Sequence, residues 1–87
     1  MEEISEIEQK MIAIENYLSK QFRLKSIKHE IEYNDVVFRV EYNDYEGCGM
    51  RMYVKEFNEL NIRLLEEHFK KMLMDCIISQ TLKKYLK

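Results

Sequence analysis

The fold is decided by residues 27–42, which read IKHEIEYNDVVFRVEY. Apolar and charged side chains alternate along this stretch. Alternation is typical of a strand with one buried face, because successive side chains point to opposite sides of a sheet. Asn34-Asp35 interrupts the pattern, and both residue types tolerate the positive φ of a tight turn. The stretch therefore predicts a β-hairpin with one apolar face and one charged face.

A two-residue turn at Asn34-Asp35 fixes the expected strand register. It sets Tyr33 opposite Val36 and, on the charged face, Glu30 opposite Arg39, a favourable pair of opposite charges. A shift by one residue would turn every apolar side chain towards solvent, so the alternation excludes it. The side chains expected to face inward are Ile27, His29, Ile31, Tyr33, Val36, Phe38, Val40 and Tyr42.

A third strand is predicted just after the hairpin. Met50, Met52 and Val54 continue the inward-facing pattern. Gly47 and Gly49 lie before it and are expected in the connecting loop, where glycine tolerates positive φ. The three strands are expected at about residues 26–33, 36–43 and 50–55.

Two helices are expected to flank the strands, at about residues 3–22 and 59–86. Steps of three and four residues between apolar side chains predict each helix. The first stripe comprises Ile4, Ile7, Met11, Ile14 and Leu18. Asn58 is the candidate N-cap of the second helix. The inward face of that helix comprises Ile62, Leu65, Phe69, Met72, Leu73, Cys76 and Ile77.

These elements predict one two-layer α+β domain over residues 1–87, in the order α-β-β-β-α. The strands form a three-stranded antiparallel meander, and both helices cover its apolar face. Beyond Ile78, Gln80 and lysines replace the inward stripe of the second helix. That helix is therefore expected either to kink near Ser79 or to continue with a second apolar face, which is covered by the chain's own folded-back terminus or by a partner.

Composition predicts a globular protein in the cytoplasm. The chain is 46% hydrophobic and 34% charged, which argues against disorder. No apolar run approaches the roughly 18 residues of a membrane span, and the N-terminal residues lack the pattern of a signal peptide. Cys48 and Cys76 are far apart in sequence and match no disulfide framework, so free thiols in a reducing compartment are expected.

No catalytic, cofactor or metal site is predicted, and the protein is expected not to be an enzyme. Cys48 has acidic neighbours in sequence, Asp44 and Glu46, which disfavour a thiolate. His29 and His68 lie far apart, and the chain lacks the Cys-x-x-Cys and His-x-x-x-His spacings that begin most zinc sites. The sequence Gly47-Cys48-Gly49 has no later lysine of the kind found in phosphate-binding loops.

Charge is unevenly distributed along a chain whose net charge is −2. Residues 30–46 carry six acidic side chains against Arg39 alone. Such a region attracts a basic partner surface, most strongly at low salt. The first functional hypothesis is therefore a protein-interaction domain whose candidate partner-binding residues are Glu30, Glu32, Asp35, Asp44 and Glu46.

The size, element order and acidic hairpin resemble those of small phage-encoded inhibitors, such as some anti-CRISPR proteins, which place carboxylates where a nuclease expects DNA phosphates. The resemblance implies a non-catalytic inhibitor or accessory factor. The element order also resembles that of double-stranded-RNA-binding domains. Residues 58–61 read NELN where those domains carry a lysine cluster, so RNA binding is not expected.

Two further hypotheses concern the C-terminal helix. Its second apolar face would make the protein a homodimer with a structural or assembly role. That candidate oligomer interface comprises Leu64, Met74, Ile78, Leu82 and Tyr85. The lysine-rich segment of residues 70–87 supports the other alternative, weak binding of nucleic acid.

Overall fold

The computed structural model describes residues 5–86 and confirms the α-β-β-β-α fold. Strands β1 (Ser26–Glu32), β2 (Asp35–Glu41) and β3 (Gly47–Tyr53) form one antiparallel sheet in the order β1-β2-β3. Helix α1 spans Glu6–Gln21, a short helix α2 spans Val54–Glu59, and α3 spans Ile62–Tyr85. Residues 3 and 4 of the predicted first helix lie outside the described residues.

The core lies between the sheet and the two long helices, as the alternation and the helical stripes predict. Phe38, at the centre of β2, is fully buried, and its ring meets Phe69 edge-on with ring centroids 4.9 Å apart. The helices contribute the buried residues Met11, Ile14, Leu18, Leu65, Phe69 and Leu73. The sheet contributes Val36, Phe38, Val40, Cys48, Met50 and Met52.

The predicted hairpin register is wrong by two residues. The turn consists of Tyr33 and Asn34, so Ile31 pairs with Val36 and His29 with Phe38. A shift of two keeps the strand side chains on their predicted faces, because side-chain direction repeats every second residue, and moves only Tyr33 from the strand into the turn. The error therefore leaves the inward and outward faces of the hairpin unchanged.

Tyr33 occupies a strained position at the tip of this turn. Its φ is 56°, and it is the only non-glycine residue with positive φ among residues 5–86. Its side chain is 98% exposed, so no packing within the chain offsets that conformation. An L side chain in the left-handed region costs about 1–2 kcal/mol, whereas glycine enters this region freely.

Tyr33→Gly is therefore expected to stabilise the protein by about 1 kcal/mol, because the relief of strain exceeds the extra entropy of glycine in the unfolded chain. Urea denaturation of wild type and variant measures the difference. The matched control is Tyr45→Gly at another exposed tyrosine, whose φ is not positive. A destabilised Tyr33→Gly protein would contradict the account of the turn.

β1 is the less buried of the two edge strands of the sheet. Two of the side chains that were predicted to face the core are therefore exposed. Ile31 and Tyr33 were expected in the core, but Ile31 is 48% exposed and Tyr33 lies in solvent. Ile27 and His29 are half-buried. The ring nitrogens of His29 face α1, where Nδ1 lies 2.9 Å from the Glu15 carboxylate without hydrogen-bond geometry, and Nε2 lies 3.6 Å from Glu8.

β3 begins three residues earlier than predicted, because an asparagine rather than a glycine makes the preceding turn. The side-chain oxygen of Asn43 accepts hydrogen bonds from the backbone N–H groups of Tyr45 and Glu46. Gly47 is then free to enter β3. A Cβ atom at Gly47 would lie 2.5 Å from the carbonyl oxygen of Val40, so close approach of the backbones requires glycine there.

The segment after β3 forms α2, which the sequence analysis missed. It was predicted as the end of a strand followed by a helix capped at Asn58. Instead, one short helix carries Phe57 into the core, where its side chain is fully buried. The N-cap of α3 is Asn61, whose side chain accepts a hydrogen bond from the Leu64 N–H at 3.0 Å.

α3 continues without a break through Ser79, so within the described residues the helix neither kinks there nor folds back. The hydroxyl of Thr81 donates to the Ile77 carbonyl within the helix at 2.9 Å. The second apolar face is therefore carried by a helix of 24 residues. Among the described residues, no helix is both long and apolar enough to cross a membrane.

The prediction of free thiols is wrong. Cys48 of β3 and Cys76 of α3 form a disulfide across 28 residues of sequence, with their Cα atoms 6.4 Å apart. Cys48 lies in β3, in phase with Met50 and Met52, and not in a loop. The disulfide ties the last core-facing turn of α3 to the edge of the sheet.

Candidate interaction surfaces

The five acidic candidate residues form two groups at opposite ends of the sheet. Glu30, Glu32 and Asp35 surround the β1–β2 turn, whereas Asp44 and Glu46 lie in the β2–β3 turn. The seven residues of β2 separate the two ends, roughly 20 Å at the rise of an extended strand. The structure therefore does not bring the five carboxylates into one surface.

Arginine side chains pair with the acids of the first group. Arg39 binds both Glu30 and Glu32, and Arg51 binds Glu32 at 2.8 Å and approaches Asp35 at 3.7 Å. The Arg39 guanidinium lowers the pKa of Glu30, chiefly through its hydrogen bond. With Lys28 beside them, three carboxylates stand against three cations, so this end of the outer face carries no net charge.

In the second acidic group, Glu46 contacts the C-terminal part of α3, whereas Asp44 does not. Asp44 pairs with Lys25, the residue before β1. Glu46 accepts a hydrogen bond from the Tyr42 hydroxyl at 2.9 Å and pairs with Lys84 of α3. These contacts with Lys84 and Tyr42, in that order, lower the pKa of Glu46. Burial and then Glu46 raise the pKa of Tyr42.

Acid is expected to remove the stabilising contribution of Glu46. Its pKa in the folded chain lies below the ordinary value of 4.5, so the contribution is present above that pH and is lost as pH falls through the lowered pKa. Thermal unfolding of wild type and Glu46→Gln between pH 7 and 3 measures this loss. The two melting temperatures should differ at pH 7 and converge in acid, and a constant difference would contradict the assignment.

A patch of four apolar side chains on α3 points away from the core. At 100° per residue they span an arc of about 80°, on the side opposite the buried Leu65, Phe69 and Leu73. We call this patch the α3 outer face. Its members and their exposed fractions are Met74 43%, Ile78 51%, Leu82 53% and Tyr85 82%.

Leu64, the fifth candidate interface residue, lies apart from the α3 outer face. It is 50% exposed and points in the same direction. However, it precedes Met74 by ten residues, roughly 15 Å along the helix, and the exposed Glu67 and Lys71 intervene. Leu86 was not predicted, but it is 80% exposed and extends the apolar patch beyond Tyr85.

The lysines of α3 do not form a basic stripe. Lys71 and Lys83 point in different directions, whereas Lys70 and Lys84 point within about 40° of each other but lie roughly 21 Å apart along the helix, and Lys84 is paired with Glu46. Lys87 lies outside the described residues. Nucleic acid is bound by cations gathered on one face that follows the phosphates, so the placement of these lysines does not favour that alternative.

Within residues 5–86, no group of three or more His, Cys, Asp and Glu side chains is arranged to hold a metal ion. No protein-family model, curated protein or solved structure matches the chain significantly.

Proposed function

We propose that this protein is a small non-catalytic interaction domain that pairs with a second copy of itself through the α3 outer face. The carrying observation is the exposure of four neighbouring apolar side chains on a helix whose opposite side supplies the core. A contiguous exposed apolar patch on a small domain is typical of an interaction site. The role proposed for this homodimer is a structural or assembly role.

A second copy is the occupant because the α3 outer face is complementary to itself. In an antiparallel pair with the two-fold axis at Ile78, Ile78 meets its own copy and Met74 meets Leu82 of the other chain. The same register sets Lys71 opposite Tyr85, where the ammonium group can lie over the ring. One symmetric contact therefore covers the four apolar side chains of both copies.

The charges along α3 are compatible with this arrangement. Asp75 would stand opposite Thr81, and Lys71 opposite Tyr85, so no like charges meet across the axis. The helix dipoles also run in opposite directions, which is the favourable orientation for two neighbouring helices.

The contact is small, so the dimer is expected to be weak. Full burial of a Leu, Ile or Met side chain contributes about 1.5–3 kcal/mol, and these side chains are already about half buried. Met74, Ile78 and Leu82 of the two copies make six such side chains, which together contribute roughly 7 kcal/mol. Association costs at least about 4 kcal/mol. The net of about 3 kcal/mol, with about 1–2 kcal/mol more from the two Lys71–Tyr85 contacts, gives an expected dissociation constant of about 0.2–1 mM.

The acidic hairpin remains an alternative binding surface for a basic partner, including the nuclease surface implied by the resemblance to phage-encoded inhibitors. Its geometry supports that role less well, because the carboxylates of Glu30, Glu32 and Asp35 are already paired with Arg39 and Arg51. A cytoplasmic location also remains a proposal. The disulfide weighs against it, since disulfides persist mainly in oxidising compartments.

A mixing experiment tests the proposed pairing. Met74→Glu and Leu82→Lys are each expected to be monomeric alone, because each homodimer would bury two unpaired charges. A one-to-one mixture should restore a heterodimer, since the new carboxylate meets the new ammonium group and the remaining Met74 meets the remaining Leu82. Native mass spectrometry distinguishes the heterodimer by its mass.

The matched control mixes Met74→Glu with Met74→Lys. In the antiparallel register these two positions do not face each other, so this mixture should remain monomeric. A heterodimer from the control mixture but not from the test mixture would contradict the antiparallel register. Full association of both single variants at wild-type strength would contradict the proposed surface itself.

A further inference from the structure

The disulfide marks a change in how α3 is attached to the sheet. Before Cys76, the helix is anchored by Leu65, Phe69 and Leu73, whose side chains are fully buried. After Cys76, Ile77 is half-buried, and from Ile78 to the end of the described helix no side chain is fully buried. The last two turns of α3 therefore depend on other contacts.

Those other contacts are polar and lie at the surface. The Gln80 amide donates to the Gly47 carbonyl at 2.9 Å, and its oxygen contacts the Tyr42 hydroxyl. Lys84 pairs with Glu46, with most of the lysine side chain exposed. Water competes for such contacts, so they hold the helix weakly. The Cys48–Cys76 bond is the strongest link between this part of α3 and the sheet.

We propose that the Cys48–Cys76 disulfide is a reversible redox switch that fixes residues 78–86 on the sheet, and so controls pairing through the α3 outer face. That the bond fixes residues 78–86 is inferred from the attachment of α3 alone, whereas its effect on pairing rests on the proposed function. With the bond closed, the α3 outer face keeps a fixed orientation. With the bond open, its last three members belong to a segment that fluctuates away from the sheet.

The chemistry is thiol–disulfide exchange with a dithiol reductant. A thiolate of the reductant attacks Sγ of Cys76, the less buried of the two residues, and Cys48 leaves as a thiolate. The second thiol of the reductant then displaces Cys76 and closes a disulfide within the reductant. The protein gains two electrons and two protons and the reductant loses them; the reverse exchange, in which a small-molecule disulfide is the oxidant and is reduced to two thiols, regenerates the bond.

Amide hydrogen exchange of the full chain tests the switch directly. Reduction with dithiothreitol should raise exchange in residues 78–86 at least tenfold while residues 65–73 keep their protection, and removal of the reductant followed by reoxidation should restore the first pattern. Cys48→Ala/Cys76→Ala should match the reduced chain under both conditions. Unchanged exchange in residues 78–86 would overturn the switch, as would equal loss of protection in residues 65–73, which indicates a purely structural bond.

Sedimentation of the same samples separates this inference from the proposed function. A dimer in the oxidised chain and at least a tenfold weaker dimer in the reduced chain supports both. A dimer of equal strength in both states overturns redox control. A protein that is monomeric in both states overturns the proposed function and the control of pairing, even where exchange shows that the bond fixes α3.

Discussion

Ile78→Glu is expected to make the protein monomeric at concentrations where the wild type dimerises. Ile78 lies on the proposed two-fold axis, so one substitution removes apolar contact from both copies and places two carboxylates against each other. The loss should weaken association at least about 100-fold, which corresponds to roughly 2.7 kcal/mol. Sedimentation equilibrium of wild type and variant over the same concentrations measures the change.

The control for this variant is Ser79→Glu. It adds the same charge to the next exposed residue of α3, about 100° around the helix and outside the α3 outer face. It should dimerise like the wild type, and both variants should retain the wild-type circular dichroism spectrum because both sites are exposed. Equal weakening by both substitutions would indicate a general charge effect and not a specific surface.

Phe38→Ala is expected to lower the free energy of unfolding by about 3–5 kcal/mol. Phe38 is fully buried at the centre of the sheet, with its ring centroid 4.9 Å from that of Phe69 and 6.4 Å from that of Phe57. Truncation leaves a cavity between the sheet and two helices that a small domain cannot readily fill. Since small domains are stable by only about 5–15 kcal/mol, much of the stability should be lost.

Urea denaturation measures this effect, with Tyr45→Ala as its control. Tyr45 is also aromatic but is 95% exposed in the β2–β3 turn, so its truncation should change the free energy by no more than about 0.5 kcal/mol. A Phe38→Ala protein as stable as Tyr45→Ala would place the core elsewhere.

The faces of the sheet and of the helices were predictable because burial follows simple periods. Alternation identified Val36, Phe38 and Val40, and helical spacing identified Leu65 and Phe69 as core residues. The hairpin register was not predictable in this way, because a shift of two residues preserves the same alternation. The observed register requires Tyr33 to adopt a positive φ, and the conformational preferences of tyrosine argue against that.

The disulfide was missed, although the sequence carried a signal for it. Cys48 lies two residues before Met50 and four before Met52, in phase with the inward face, and Cys76 lies in the inward arc of α3. Two cysteines that both face one core are candidates for pairing. Their separation of 28 residues gave no indication of distance, and the glycines around Cys48 suggested a loop.

The two candidate surfaces differed in how far the sequence could define them. Helical periodicity placed Met74, Ile78 and Leu82 on a second face of the helix, and the structure leaves each of these side chains about half exposed. The state of the acidic residues depends on which cations lie beside them. The pairing of Glu32 with both Arg39 and Arg51 is set by strand register and side-chain conformation, which periodicity does not determine.

The most direct test of the α3 outer face as a self-association surface is the molar mass of the oxidised wild-type chain as a function of concentration. Sedimentation equilibrium from about 10 µM to about 1 mM covers the expected range of dissociation constants. The account predicts an average mass that rises from 10.7 kDa towards twice that value. A mass that stays at 10.7 kDa up to about 1 mM would contradict it.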